Sequence, residues 1–132
     1  MVSVRTIPWL LLVCLVPTMV SAQVPSELRQ AMRERDRAVA QADAPTWDRL
    51  TADGFTVVQE DGILMTKSER LKQLKGQKPT TPLPAQQEQV KRYGEAFVRR
   101  LRSGDVWVLE VWAKDARGWR AQAVQVTTAA KK

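Results

Sequence analysis

The chain has 132 residues, of which 21 are Lys or Arg and 14 are Asp or Glu, giving a net charge of +7. It contains no histidine, and its one cysteine is Cys14, near the N-terminus. Ser-His-Asp and Cys-His nucleophilic sets are therefore excluded downstream of that cysteine, as are ordinary zinc and copper sites. No glycine-rich phosphate loop or dinucleotide fingerprint is present, so no cofactor and no metal is expected. The basic residues are spread along the chain, interleaved with acidic ones, and do not alternate with aromatics. Such a balance predicts weak attraction to anionic surfaces and no nucleic-acid site.

Residues 1–22 read as a secretory leader. Arg5 supplies the positive start, Ile7 to Val16 an apolar core of about ten residues, and Val20-Ser21-Ala22 the small residues of a cleavage site. A stable anchor would need about 20 apolar residues, so no lasting membrane attachment is expected. Leu12-Val13 before Cys14 argue against lipidation. Residues 23–132 then form one small domain, soluble and periplasmic or secreted, with enough chain for a single core.

Ser26 as N-cap and Glu27 in the first turn open a helix, with apolar residues at Leu28, Ala31, Met32, Ala38, Val39 and Ala42. Arg35 interrupts that stripe; its stem is expected to pack while its head reaches water. Asp43-Ala44-Pro45 separates a second short helix carrying Trp47 and Leu50, which Asp53-Gly54 is expected to end. Phe55 to Val58 alternates as a strand, Glu60-Asp61-Gly62 turns, and Ile63 to Met65 returns. Thr66-Lys67-Ser68-Glu69 is a capping box that opens a third helix running to about Lys75. Gln77 to Ala85, with three prolines, reads as a loop. Four strands follow: a polar, edge-type one at Gln86 to Tyr93, then Ala96 to Arg102, Asp105 to Lys114 and Trp119 to Thr127. Helices followed by a meander imply an α+β domain with helices on one face of a curved antiparallel sheet.

Trp47, the Asp61-Gly62 turn before Lys67-Ser68-Glu69, Tyr93-Gly94-Glu95-Ala96, Val111-Trp112, Gly118-Trp119-Arg120 and Gln125 together carry a resemblance. In their order and spacing the chain resembles the NTF2-like superfamily, specifically the SnoaL-like group known as domain of unknown function 4440. The resemblance covers nearly all of residues 23–132, although the segment from Val98 to Val108 is shorter than the group usually carries. It implies a cone: three N-terminal helices packed on a curved antiparallel or mixed sheet, with a pocket on the concave face. Enzymes of the superfamily, such as ketosteroid isomerase, polyketide cyclases and scytalone dehydratase, place Asp, Tyr or His in that cone. No residue-by-residue match to those sets exists in this chain.

The last hairpin can be put in register. A four-residue loop from Asp115 to Gly118 and a two-residue turn at Ala116-Arg117 both pair Lys114 with Trp119. Either then sets Trp112 opposite Ala121, Glu110 opposite Ala123 and Val108 opposite Gln125. Cross-strand partners share a face, so Glu110, Trp112, Trp119 and Gln125 are expected on one side. Trp107, Leu109, Val111, Val124 and Val126 then form an apolar patch on the other. Glu110, Trp112, Trp119 and Gln125, with Trp47 and Tyr93, are the candidate ligand-binding residues. Glu110 is the candidate acid or base, its pKa raised if it sits desolvated in the cone, with Tyr93 as a donor. The plainer alternatives are that both tryptophans are core, that Glu110 faces out beside an arginine, and that Gln125 satisfies backbone near a sheet edge. Three functions are compatible with this pattern. One is an exported module binding a small apolar or amphipathic ligand; a second is a cofactor-independent isomerase, cyclase or dehydratase using Glu110. The third is an interaction domain that homodimerises through the outer sheet face.

Overall fold

A computed structural model describes residues 23–131; the expected leader, its cleavage site and Cys14 lie outside the described residues. Helix α1 (Ser26–Ala40) begins one residue earlier than expected, with Pro25 at the N-cap and no side-chain cap bond. Its buried stripe of Leu28, Ala31, Met32, Arg35 and Ala38 faces the sheet. Helix α2 (Ala44–Arg49) is capped by Asp43, whose side chain accepts from the Thr46 amide at 3.2 Å. It stops before Leu50, so Asp53-Gly54 does not end it. Those two residues lie inside strand β1 (Thr51–Val58), in the stretch where pairing with its neighbour is irregular between Thr51 and Thr56.

Strand β2 (Leu64–Thr66) completes the first hairpin, and helix α3 (Lys67–Lys75) follows it. The capping box forms: Glu69 N donates to Thr66 Oγ1 at 3.4 Å, and Thr66 N donates to Glu69 Oε2 at 2.7 Å. The third helix therefore comes after the first hairpin, not in one block with the other two. Strands β3 (Gln87–Tyr93), β4 (Ala96–Ser103), β5 (Val106–Asp115) and β6 (Gly118–Thr128) complete the sheet. Its order is β2-β1-β6-β5-β4-β3, which leaves the polar β3 on an edge as its composition demands. The β4–β5 hairpin is regular from Phe97 opposite Trp112 to Ser103 opposite Val106.

Two features depart from an antiparallel meander. Strand β6 runs parallel to β1, so the sheet is mixed. The β5–β6 hairpin starts in the expected register, with Asp115 opposite Gly118, Lys114 opposite Trp119 and Trp112 opposite Ala121. It then skips Gln122: Val111 pairs with Ala123, Glu110 with Val124, Leu109 with Gln125 and Val108 with Val126. An extra residue in one strand exchanges the faces of everything beyond it. Val124 and Val126 thus turn to the side of Glu110, and Gln125 turns outward and is exposed.

The core fills the space between α1, α2 and the inner sheet face. Leu28, Met32, Trp47, Phe55, Leu74, Phe97 and Trp112 form one buried cluster. Trp47 meets Phe55 edge-on, with ring centroids 5.4 Å apart. Burial of Trp47 and Trp112 is complete or nearly so, at 1% and 0% exposure; each such side chain contributes several kcal/mol, on the order of 3–5 on truncation.

Candidate functional site: a charged floor beneath a proline-rich loop

Arg35 is the residue around which the interior is organised. It lies on the buried stripe of α1, 5% exposed, so its guanidinium does not reach water as expected. Its Nη1 donates to Glu110 Oε2 on β5 at 3.2 Å, and its Nε donates to Thr51 Oγ1 on β1 at 3.2 Å. The Thr51 hydroxyl in turn donates to the Trp47 carbonyl at 2.6 Å. The guanidinium carbon is 5.3 and 5.2 Å from the ring centroids of Trp47 and Phe55, within cation–π range. Burial holds the guanidinium below its ordinary pKa, and the Glu110 charge acts against that.

Arg99, on the inner face of β4, supplies the other half of the network. Its Nη1 donates to Glu110 Oε1 at 2.9 Å and to Asp36 Oδ1 at 2.8 Å. Its Nη2 donates to Asp36 Oδ2 at 2.7 Å, and its Nε to Glu88 Oε1 at 3.0 Å. Burial disfavours the Arg99 cation, but the bonds from Asp36 and the charges of Glu110, Asp36 and Glu88 outweigh it, so its pKa is raised. Glu110 is 3% exposed, with one arginine on each oxygen and Trp112 Nε1 3.5 Å from Oε1. It does face the cone, but as a shared counter-ion for two guanidiniums and not as a free carboxylate.

Above this floor lies a cavity of about 280 Å³. Arg35, Asp36 and Glu110 form its polar base, and Val39, Ala40 and Leu101 line its sides. Residues 77–86 cover it with Thr80, Pro82 and Leu83. The loop is held at one end by Thr80, whose amide and hydroxyl both donate to the Ala40 carbonyl (2.6 and 3.3 Å). At the other end Gln86 N donates to the Arg102 carbonyl at 2.9 Å. A larger hollow of about 400 Å³ between α2, α3 and β1 is lined by Asp48, Asp53, Phe55, Thr66, Lys67 and Leu71. It is more open and lies outside the cone. Its lysine is already engaged by Asp48 (3.0 Å), Asp53 (3.5 Å) and the Thr51 carbonyl (2.9 Å). The cavity over Arg35 and Glu110 is therefore the better candidate site.

Of the six residues singled out from sequence, only Glu110 lines that cavity. Trp47 and Trp112 are core. Trp119 packs edge-on against Phe97 (5.5 Å) and borders a separate hollow of about 220 Å³ with Gln30, Glu34 and Arg49; its buried Nε1 lacks a hydrogen-bond partner. Tyr93 is 60% exposed at the end of β3. Gln125 is on the opposite face. Sequence reasoning missed Arg35, Asp36, Arg99 and the covering loop. Two signals were available: an arginine on an apolar helical stripe, and the Phe97-Arg99-Leu101 row of one strand face. Each implies a buried cation that needs a carboxylate. Among the described residues, no group of three Asp or Glu side chains converges to hold a metal ion.

Neither a protein-family model nor a curated protein matches the sequence, but solved structures match the fold. An NTF2-like protein from Cytophaga hutchinsonii superposes with a TM-score of 0.68 at 14% identity, over 76% of this chain and 93% of that one. An NTF2-like protein of unknown function in nutrient uptake from Rhodospirillum rubrum gives 0.67 at 18% identity, over 78% and 98%. A Shewanella frigidimarina protein provisionally assigned as a ketosteroid isomerase gives 0.65 at 12% identity, over 77% and 95%. The chain is thus an α+β domain with an NTF2-like fold.

Proposed function

We propose that this protein is an exported NTF2-like domain of the SnoaL-like kind that holds a small amphipathic ligand in the cavity over Arg35 and Glu110. In this reading residues 1–22 are the cleaved leader. The observation that carries the proposal is a cavity with apolar walls, a hydrogen-bonding base and a loop pinned at both ends. Polar groups set in place among apolar side chains in one hollow are what small-ligand sites have in common. The volume is at the small end of such sites, so the ligand is small.

Binding is placed ahead of catalysis. The isomerase assignment of the Shewanella frigidimarina structure suggests a reaction class, and Glu110 is the acid or base it would use here. Taking a proton would require that carboxylate to give up a charge-assisted bond to Arg35 or Arg99. The test is native mass spectrometry of protein purified from its own host. A retained small molecule is expected, and Ser103→Trp, which fills the cavity from the end of β4, should release it without loss of folding. Wild-type protein that carries no molecule and binds none from a metabolite extract would sink the binding reading.

The outer sheet face supports a second copy as partner, on a patch of different make-up from the one the sequence suggested. Trp107, Leu109 and Val111 keep their place there, joined by Val98 and Ala123, whereas Val124 and Val126 face inward. Sedimentation should give a dimer for the wild type and a folded monomer for Trp107→Glu. A monomeric wild type removes the idea.

A further inference from the structure

Resting on the cavity reading above, we infer that the occupant is an uncharged amphiphile: a short apolar tail bearing one group, such as a hydroxyl or carboxamide, that both donates and accepts hydrogen bonds. The ionic groups of the site are paired with one another: Arg35 with Glu110, and Arg99 with Glu110, Asp36 and Glu88. Arg99 has all three nitrogens committed to carboxylates, and both oxygens of Asp36 and of Glu110 are engaged. Arg35 spends Nη1 on Glu110 and Nε on Thr51, so its charge is answered by Glu110 while Nη2 keeps its donors for a neutral acceptor. A charged ligand would leave water and meet no counter-ion that is not already paired, and an unpaired buried ion is strongly disfavoured.

A neutral polar group meets no such penalty. A carboxylate has about four acceptor positions, so Glu110 Oε2 can take a hydrogen bond beside that of Arg35. The hydroxyls of Thr80, Thr81 and Ser103 lie around the same cavity. At about 30 Å³ for each water in the liquid, 280 Å³ accommodates a ligand of about nine non-hydrogen atoms. The apolar walls of Val39, Ala40 and Leu101 then take the tail, with Leu83, 70% exposed, at the open rim. The net charge of +7 would by itself favour anions, but the charges at the cavity are already paired.

Isothermal titration calorimetry with 1-octanol, octylammonium and octanoate below their aggregation limits tests the charge rule with one tail. Octanol should bind saturably and at least about tenfold more tightly than either ion, as expected for an ion buried without a partner. Ser103→Trp should abolish the octanol heat while leaving the melting temperature near that of the wild type. Octanoate binding most tightly would overturn the inference in favour of the overall positive charge. Octylammonium binding most tightly would overturn it in favour of Asp36, which is 42% exposed in its side chain. Either result leaves the cavity reading intact. Binding of none of the three would sink both the inference and the cavity reading.

Discussion

Glu110→Gln is expected to destabilise the domain by about 3–5 kcal/mol, the usual effect of breaking a buried ion pair from one side. Glutamine is nearly isosteric, so the loss is one of charge and not of packing. Among the described residues Glu110 is the only carboxylate hydrogen-bonded to Arg35, and the two side chains are 6% and 4% exposed. The substitution leaves a buried guanidinium facing a neutral amide. Arg35→Met should be milder, because Glu110 then keeps Arg99 at 2.9 Å, and the methionine can rest on Trp47 and Phe55 where the guanidinium lay. Adding Arg35→Met to Glu110→Gln should recover at least about 1 kcal/mol, since residues in one network couple by about 0.5–3 kcal/mol. Urea unfolding of the four proteins measures these differences. In heat, with roughly 4–8 °C per kcal/mol for a domain near this size, Glu110→Gln should melt at least about 12 °C below wild type. Equal single effects that add in the double variant would mean that Arg35 and Glu110 are not a pair held against desolvation.

That asymmetry also explains which parts of the site could be read from the residues alone. Glu110 was legible because a carboxylate between Leu109, Val111 and Trp112 must either face the interior or interrupt an apolar strand. Its partner was harder to see, because Arg35 is 75 residues away. Interruption of the α1 stripe announced a buried charge but not the strand that would answer it. The parallel pairing of β1 with β6 has the same character: local patterns define each strand, while its non-local neighbour depends on how the chain closes. The β5–β6 hairpin was legible as far as its turn chemistry reached, from Asp115-Gly118 to Trp112-Ala121. Residues 77–86 carry prolines but no apolar period, so nothing local indicated that they fold back over α1. The Thr80 bonds to the Ala40 carbonyl hold them there.

Deletion of Gln122 is expected to leave the domain folded, with β6 in its present register. Trp112 pairs with Ala121 and Val111 with Ala123, so Gln122 is the residue that the pairing passes over. Removing it joins Ala121 directly to Ala123, and unbroken pairing then keeps Glu110 opposite Val124, Leu109 opposite Gln125 and Val108 opposite Val126. Val124 and Val126 stay inward and Gln125 outward, now by simple alternation. The parallel register of Val57 with Val124 and Val58 with Gln125 is kept as well. The deletion loses only the local bend and added twist of the bulge, a cost of about 0.5–3 kcal/mol. Pairing Gln122 with Val111 in the intact strand would instead turn Val124 and Val126 out and Gln125 in. Each valine turned outward forfeits up to about 1.5–3 kcal/mol of burial, and a glutamine placed against the Arg35–Glu110–Arg99 network adds about 1–3 kcal/mol. Two valines inside and one glutamine outside is the lower-energy assignment, and leaving Gln122 out of the ladder achieves it. Circular dichroism during urea titration should show a two-state transition for the deletion within about 3 kcal/mol of wild type, and for Gln122→Ala within about 1 kcal/mol. Loss of cooperative unfolding in the deletion alone would show that the bend of the bulge, and not the register beyond it, holds β6 in place.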